Sequence, residues 1–325
     1  MKYRNLGKTG ILVSEIGFGA WGIGGEMWRG GDDAESMRAL NKAVDLGVNF
    51  FDTALAYGKG HSEELIGKLL KEHKGQLYIA SKIPPKNFQW PAPKGLKLQE
   101  VFPKQHVIDC TNQSLKNLNI DCLDLQQLHV WDDAWAADSE IWETAELLKS
   151  QGKIRNFGIS INDNQPDNAL EAAKTGNVDT FQVIYNIFEQ TPEDELFPYC
   201  LKENIGIIVR VPFDEGGLTG AITPDTVFPE KDWRNRYFGG DRKKCVQERV
   251  ELLKAHLGDE AKTLSELALR FCLSHHAVST VIPGMRSPRH AEMNAAASDG
   301  KPLSLSLRDE LHHHRWVRNF YAEGD

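Results

Sequence analysis

The chain has 325 residues, of which 41% are hydrophobic and 26% charged, a composition typical of a soluble globular protein with a large core. Its net charge of −8 argues against nucleic-acid binding, which needs a basic surface, and no stretch approaches the roughly 20 consecutive apolar residues that span a membrane. Its five cysteines are scattered without a C-x-x-C pair, which argues against a disulfide framework or a zinc site and favours a reducing cytoplasm.

The first predicted element is a β-hairpin over residues 2–15, KYRNLGKTGILVSE, which turns at Lys8-Thr9-Gly10. Eight β-rich runs follow, and several are nearly continuous in apolar residues, as parallel strands covered on both faces are. They lie at 16–20, 48–53, 77–82, 122–129, 154–160, 179–184, 205–211 and 278–284. Apolar residues at helical spacing predict helices between them, at 33–46, 107–118, 139–150, 168–175 and 193–203.

This alternation predicts an α/β fold, a closed (β/α)8 TIM barrel in which residues 1–325 form a single domain and the N-terminal β-hairpin closes the bottom. Two long loops, 83–103 and 212–243, follow the third and seventh strands. Loops of that length inside a compact domain are usually functional. Because both leave the C-terminal ends of strands, we expect them to border a site at the C-terminal face of the barrel.

The segment 17–22, GFGAWG, matches the glycine pattern of dinucleotide-binding turns. A Rossmann turn opens directly into a helix, and an acidic residue follows about twenty positions later. Here more glycines follow, the first helix begins near Asp33, and Lys42 stands twenty positions beyond Gly22. The match is therefore interpreted as a coincidence, and the segment as the first barrel strand and its exit.

Ionisable residues stand at the ends of three consecutive predicted strands. The second strand ends at Asp52, the third at Lys82 and the fourth at His129, while Tyr57 lies five residues beyond Asp52. In a barrel these strand ends meet at one rim, so we expect the four side chains to share a cleft.

Such a set is suited to protonating an oxygen that gains negative charge. A tyrosine has an ordinary pKa of about 10, and a nearby ammonium group lowers that pKa by favouring the phenolate. A carboxylate beside the lysine keeps the amine charged, and a histidine can orient a carbonyl oxygen by hydrogen bonding. No side chain supplies a hydride, so reduction of a carbonyl by this set implies a nicotinamide cofactor.

The run GVNFFDTALAYG at 47–58 resembles the signature of the aldo-keto reductases. The resemblance continues in order along nearly the whole chain, through Ser62-Glu63, Gly67, IASK at Lys82, QLH at His129, FGIS at Ser160, FQVIYN at Gln182, GLTG at 217–220 and IPG at 282–284. It implies an NADP(H)-dependent reductase of aldehydes or ketones that also oxidises alcohols, and it leaves the class of carbonyl substrate open. Tyr57 is then the general acid, Lys82 lowers its pKa, Asp52 is the partner of Lys82, and His129 orients the substrate carbonyl.

The resemblance also implies a cofactor spread over the second half of the barrel. Its implied contacts are Ala20, Trp21, Asp52, Ser160, Gln182, Arg210, Phe213, Leu218, Gly220, Gly284, Arg286, His290 and Asn294. Ser160 and Gln182 match positions that hold the nicotinamide carboxamide, but Ile161 replaces the asparagine that often follows the serine, and Asn162 comes one place later. Arg210 replaces a stacking tyrosine and is expected to be a platform for the ring, with a rim salt bridge as the alternative.

Two further segments are expected to bind the phosphates. Glycines in 213–220 let backbone N–H groups approach a pyrophosphate. Asp214 and Glu215 would repel the phosphate if they pointed inward, so both are expected to point outward. Arg286 and Asn294, beside a helix start near Ser287, match contacts to the 2′-phosphate and adenine of NADP. Gly284 and Met293 replace a lysine and a glutamate that some members carry, which leaves NAD(H) open.

Trp21, Trp90 and Trp316 are candidates for the substrate pocket, and packing against the barrel wall is the alternative for Trp316. The run His312-His313-His314 is interpreted as surface, because consecutive helical residues point to different sides. A monomer and a homo-oligomer both stay open. Two rival functions are an NADP(H)-binding regulatory subunit with little activity, as in the potassium-channel β-subunits that resemble these reductases, and a metal-dependent barrel hydrolase, which lacks the expected ligands at the strand ends.

Overall fold

The computed structural model describes residues 1–25, 32–73, 75 and 77–317. It begins with the predicted hairpin, in which β1 (Tyr3–Asn5) pairs antiparallel with β2 (Leu12–Ser14). Gly10, with φ 75°, supplies the left-handed conformation that this turn requires. The hairpin closes the bottom of the barrel. Its buried apolar side chains cluster with residues of five strands or their ends: Leu6, Ile11 and Val13 with Phe50, Ala80, Leu125, Ile208 and Ile282.

Within the described residues, eight strands form one curled parallel sheet in sequential order. They are β3 (Phe18–Gly19), β4 (Phe50–Asp52), β5 (Tyr78–Ile83), β6 (Leu123–Leu128), β7 (Ile154–Ser160), β8 (Thr180–Ile184), β9 (Gly206–Arg210) and β10 (Val278–Val281). Bridges from Ile16 to Val281 and from Gly19 to Gly284 join the first and last strands. The predicted (β/α)8 TIM barrel and its eight strands are therefore confirmed.

Helices surround this sheet and bury apolar faces against it. They are α1 (Asp33–Asp45), α2 (His61–Glu72), α3 (Leu98–Val101), α4 (Lys104–Leu118), α5 (Ser139–Ser150), α6 (Leu170–Lys174), α7 (Leu196–Glu203), α8 (Arg234–Tyr237), α9 (Arg242–Leu253), α10 (Leu264–Leu273), α11 (Pro288–Ala296) and α12 (Leu305–His312). No helix within these described ranges is long and apolar enough to cross a membrane.

The five predicted helices are present: α5 has the predicted bounds, and the other four differ from the prediction at one or both ends. The helix predicted at 193–203 begins at Leu196, after a separate 3-10 turn at Thr191–Glu193, and Pro198 falls in its first turn, where a missing N–H is tolerated. The helix predicted at 168–175 shortens to α6, because the Asp133 carboxylate caps it by accepting from the backbone N–H groups of Glu171 and Ala172. The two long loops hold α3 and α8.

Candidate active site

The barrel brings the four predicted catalytic side chains together at its C-terminal face. Asp52 ends β4, Lys82 lies near the end of β5, and His129 directly follows β6. Tyr57 opens the short turn Tyr57–Gly60 that follows β4. The parallel register places Asp52 opposite Ala80, two residues before Lys82, which is why residues so far apart in sequence meet.

Lys82 is the centre of this arrangement. Its Nζ donates to Asp52 Oδ2 at 2.5 Å, to the backbone oxygen of Thr53 at 2.8 Å and to the Tyr57 hydroxyl at 3.2 Å. The Lys82 side chain is fully buried, and that of Asp52 is 3% exposed. An ammonium group has three N–H donors, so these three acceptors account for all of them.

Burial and charge set the protonation of these groups. Burial favours the neutral amine of Lys82, but the Asp52 carboxylate and the hydrogen bonds to Asp52 and Tyr57 outweigh it and raise the pKa of Lys82. Burial also raises the pKa of Tyr57, and the opposing effect of Lys82 is smaller. Lys82 therefore acts in the expected direction, since it lowers the pKa of Tyr57, but burial outweighs it and the net shift is upward.

His129 is a neutral imidazole beside the phenol. Burial, followed by the positive charges of Lys82 and Arg210, lowers the pKa of His129 well below its ordinary value. Its ring meets the Tyr57 ring edge-on, with 5.6 Å between centroids. Its Nδ1 has no hydrogen-bond partner within the part of the chain that the structure describes. A neutral imidazole can therefore offer an N–H to a substrate oxygen without adding charge.

Tryptophan rings border this cleft. Trp21 stacks on Tyr57, with centroids 6.1 Å apart, and Trp90 meets His129 edge-on at 5.6 Å. Trp233, in the second long loop, lies 6.3 Å from Trp21. The sequence does not single out Trp233 itself. The signal it offers is the length of the loop that carries this residue. That Trp21 and Trp90 contact substrate stays a prediction.

Trp316 packs against Phe188 and two arginines of α9. Its backbone N–H donates to Phe188 O at 2.8 Å, and its ring meets that of Phe188 edge-on. The guanidinium groups of Arg249 and Arg242 lie 4.2 Å and 5.2 Å from its ring centroid. Two arginines of α9 thus lie over the indole, and that Trp316 contacts substrate stays a prediction.

The three consecutive histidines diverge, as expected from helical geometry. His312 Nε2 lies 3.3 Å from Glu193 Oε2, His313 is exposed, and His314 Nε2 lies 2.9 Å from His256 Nε2. Among the residues described, no group of three His, Cys, Asp or Glu side chains is arranged to hold a metal ion.

Ser160 and Gln182 lie side by side on β7 and β8, in direct register. Both are buried, and Gln182 Nε2 donates to Asp52 Oδ1 at 2.7 Å. A hydroxyl and an amide at this spacing match the donor and acceptor groups of a carboxamide. Asn162, the displaced asparagine, is engaged elsewhere, since its amide bonds to both the N–H and the C=O of Trp131.

Arg210 makes the rim ion pair that was the alternative to a stacking platform. Its Nη2 donates to Asp163 Oδ1 and to Ile161 O, each at 2.7 Å. This ion pair joins the end of β9 to the loop after β7 and places a cation close enough to influence both Tyr57 and His129.

The expectation that Asp214 points outward is wrong. Asp214 is 3% exposed and accepts hydrogen bonds from the Tyr237 hydroxyl and, at 3.0 Å, from Arg242 Nη2. The charge is compensated inside the protein by Arg242, which is why burial is possible. Glu215 is half-buried, and burial together with the neighbouring Asp163 and Asp214 raises its pKa to about 8.

The turn Asp214–Thr219 carries the other predicted phosphate-loop residues. Phe213 directly precedes it, Leu218 is buried within it, and Gly220 ends it with φ 78°. Ala20, at the end of β3, is buried and its N–H donates to Asp52 O at 2.9 Å. The glycine at 216 faces open space, so the backbone there is accessible to a ligand.

The N-terminus of α11 forms the far end of the candidate groove. The Ser287 hydroxyl caps it by accepting from the His290 N–H at 3.3 Å. Arg286 crosses over Gly22, where an added Cβ would lie 2.9 Å from Arg286 Cδ, so the guanidinium stem packs beside Trp21. Gly284 and His290 are exposed, and buried Asn294 donates to Gly284 O at 3.4 Å. A positively charged, exposed helix N-terminus fits a phosphate group.

The sequence is similar to those of several known proteins. The chain is 32% identical over 318 residues to the aldo-keto reductase YhdN of Bacillus subtilis, covering 95% of this chain and 92% of that protein. It is 29% identical to the NADH-specific methylglyoxal reductase of Escherichia coli, covering 95% of each chain. It is also 30% identical to a probable voltage-gated potassium channel subunit beta of Arabidopsis thaliana, covering 93% of each chain.

The fold agrees as well. The holo form of aldo-keto reductase AKR11C1 from Bacillus halodurans superposes with a TM-score of 0.77 at 27% identity, covering 100% of this chain and 99% of that one. The model of the aldo/keto reductase family matches residues 15–310. Since that match spans most of the sequence and includes all four residues of the site, the chain belongs to the aldo/keto reductase family of oxidoreductases.

Proposed function

We propose that this protein is an NADP(H)-dependent reductase of small aldehydes or ketones, reversible toward alcohol oxidation, with residues 1–325 forming one domain. The observation that carries the proposal is the position of Lys82 Nζ, within hydrogen-bonding distance of both Asp52 Oδ2 and the Tyr57 hydroxyl. Burial keeps the phenol of Tyr57 protonated, and the ammonium group fixed beside it can stabilise the phenolate that forms when the proton passes to a carbonyl oxygen.

Each residue of the site then has a distinct task. His129, neutral at physiological pH, orients the substrate carbonyl by donating an N–H to its oxygen. Tyr57 donates its proton to that oxygen, and Lys82 stabilises the phenolate that remains. Asp52 keeps Lys82 charged throughout. When bound, the nicotinamide supplies the hydride that reduces the carbonyl carbon.

The donor set along the barrel supports a bound dinucleotide. Ser160 and Gln182 would hold the carboxamide, the turn Asp214–Thr219 the pyrophosphate, and the N-terminus of α11 the adenosine end. Arg286, beside exposed Arg289 and His290, favours the 2′-phosphate of NADP over the hydroxyl of NAD. The NADH-specific relative shows that the family includes proteins of the opposite preference, so the choice requires measurement.

Replacing Arg286 with methionine tests the cofactor assignment. We expect the Kd for NADPH to rise about ten- to hundredfold, because a charge-assisted hydrogen bond to phosphate is lost, while the Kd for NADH changes less than about twofold. Methionine keeps the packing across Gly22. Fluorescence titration with both nucleotides measures the effect.

The matched control is Lys42→Met, which removes a cation that pairs with Glu292 of α11 at 2.8 Å and has no role in the proposed site. It should leave both affinities unchanged. Equal weakening of NADPH and NADH by Arg286→Met would show that Arg286 does not read the 2′-phosphate.

The proposed activity is tested by following NADPH and NADH oxidation with a panel of aldehydes and ketones, and NADP⁺ reduction with the corresponding alcohols. We expect turnover of at least one carbonyl class, faster with NADPH than with NADH. Tight NADPH binding without turnover of any compound would instead favour the nucleotide-binding regulatory subunit.

A further inference from the structure

We propose that Gln127 is a positioning residue that, together with Gln182, fixes the Asp52 carboxylate so that the Lys82 ammonium stays directed at Tyr57. The proposal rests on the function given above, and it assigns to the site a buried amide that lies outside the four catalytic side chains. Gln127 acts through Asp52 and has no contact with a reacting atom.

The Asp52 carboxylate is held by three side chains. Oδ2 accepts from Lys82, whereas Oδ1 accepts from Gln182 Nε2 at 2.7 Å and from Gln127 Nε2 at 3.3 Å. Gln127 is fully buried, and Gln182 is 1% exposed. The nitrogen of each amide must face Asp52, since a carboxylate offers acceptors only.

The barrel wall is shaped around Gln127. In the sheet register, Gln127 lies between Lys82 of β5 and Gly158 of β7. An added Cβ at Gly158 would lie 3.2 Å from Gln127 Cγ and 2.3 Å from Thr180 Oγ1. Glycine at 158 therefore leaves the interior space that the Gln127 side chain occupies.

The stability of the fold does not account for this amide. Its Oε1 accepts no hydrogen bond from the described part of the chain, and a buried acceptor without a partner is unfavourable. An apolar side chain of similar size would avoid that loss. The favourable contribution of Gln127 is therefore its bond to Asp52.

Fixing Asp52 matters because Lys82 has no spare donor. Its three N–H groups point at Asp52 Oδ2, Thr53 O and the Tyr57 hydroxyl. Rotation of the carboxylate would turn the ammonium with it and weaken the bond to Tyr57. Two amides on Oδ1 oppose that rotation, and Gln127 retains this task even when Gln182 also binds a cofactor carboxamide.

The sign of the electrostatic effect follows from the groups that face Tyr57, which are Asp52, Lys82, His129 and Arg210. Asp52 acts to raise the pKa of Tyr57, whereas Lys82 and Arg210 act to lower it. Removing the amide dipole of Gln127 leaves the negative charge of Asp52 less compensated. Loss of Gln127 should therefore raise the pKa of Tyr57 further.

The test compares Gln127→Met with Gln126→Met. Gln126 is the preceding residue of β6, equally buried, but its side chain points to the opposite face of the strand, towards the helices. We expect Gln127→Met to lower kcat about three- to tenfold with an unchanged KM for NADPH. The rise of kcat for alcohol oxidation with increasing pH should shift to a pH about half a unit higher. Gln126→Met should change neither quantity.

A direct titration of the phenol separates this proposal from the proposed activity. The ultraviolet difference spectrum of each variant, less that of the same variant carrying Tyr57→Phe, reports ionisation of Tyr57 without turnover. In this titration too, the pKa of Tyr57 is expected to be higher in Gln127→Met than in the original protein. If Gln127→Met does not fold, Gln127→Asn, whose amide is one methylene too short to reach Asp52, should give the same shift. No shift in the variant that folds, or an equal shift in Gln126→Met, would overturn the proposal.

Discussion

Replacing Tyr57 with phenylalanine is expected to lower kcat for carbonyl reduction by about 10²- to 10⁴-fold, because the proton donor to the carbonyl oxygen is lost. Phenylalanine keeps the ring that stacks on Trp21 and meets His129. The Kd for NADPH should therefore stay within about twofold of the original. Steady-state kinetics and nucleotide titration on the same preparation measure both quantities.

The control for this substitution is Tyr185→Phe. Tyr185 is also buried, and its hydroxyl donates to Glu193 at 2.5 Å, away from the proposed site. The substitution Tyr185→Phe should lower the free energy of unfolding and leave kcat unchanged. Near-normal turnover by Tyr57→Phe would show that another group donates the proton.

Replacing Lys82 with methionine should have a double effect. It removes the cation that stabilises the phenolate, so kcat should fall by at least about 10²-fold. It also leaves the Asp52 carboxylate buried without its charged partner, which should lower the free energy of unfolding by about 3–5 kcal/mol. Denaturant unfolding and kinetics measure the two losses independently.

The double variant Lys82→Met with Asp52→Asn separates these effects. With the carboxylate also neutralised, most of the lost stability should return, because no unpaired charge stays buried. Activity should not return, because the phenol still lacks its ammonium. A Lys82→Met protein as stable as the original would mean that Asp52 and Lys82 are not a buried ion pair.

The barrel could be predicted because each strand carries its own local signal. The run 205–211, for example, is nearly continuous in apolar residues, and glycines and caps mark the helix ends. The exact ends of the helices depend on tertiary contacts, which no local sequence pattern contains. Helix α6, for example, begins where the Asp133 carboxylate, almost forty residues earlier, reaches its backbone.

The meeting of Asp52, Tyr57, Lys82 and His129 could also be predicted, because strand ends in a barrel share one rim. The direction in which the pKa of Tyr57 shifts could not be predicted, because it depends on burial outweighing the charge of Lys82. Sequence order gives the identity of neighbouring groups but not how much water they exclude.

Two further features depended on tertiary contacts. Asp214 points inward because Arg242, 28 positions later, offers it a buried partner. Gln127 bonds to Asp52 from 75 positions away. Its signal in the sequence was the pair of glutamines in the strand LDLQQL, since most buried amides have a hydrogen-bond partner. That partner is identified by the barrel register and not by the strand itself.

The account is tested most directly by measuring kcat against pH in both directions with one carbonyl and its alcohol. If Tyr57 is the proton donor, kcat for reduction should decline with rising pH as its phenol ionises. Burial raises the pKa of Tyr57, so in the absence of cofactor charge this ionisation lies above the ordinary pKa of tyrosine. Alcohol oxidation should rise with the same ionisation, because the phenolate then accepts the proton. The account would be contradicted if kcat for reduction and kcat for oxidation changed in the same direction with pH. It would also be contradicted if the same pH dependence persisted in Tyr57→Phe.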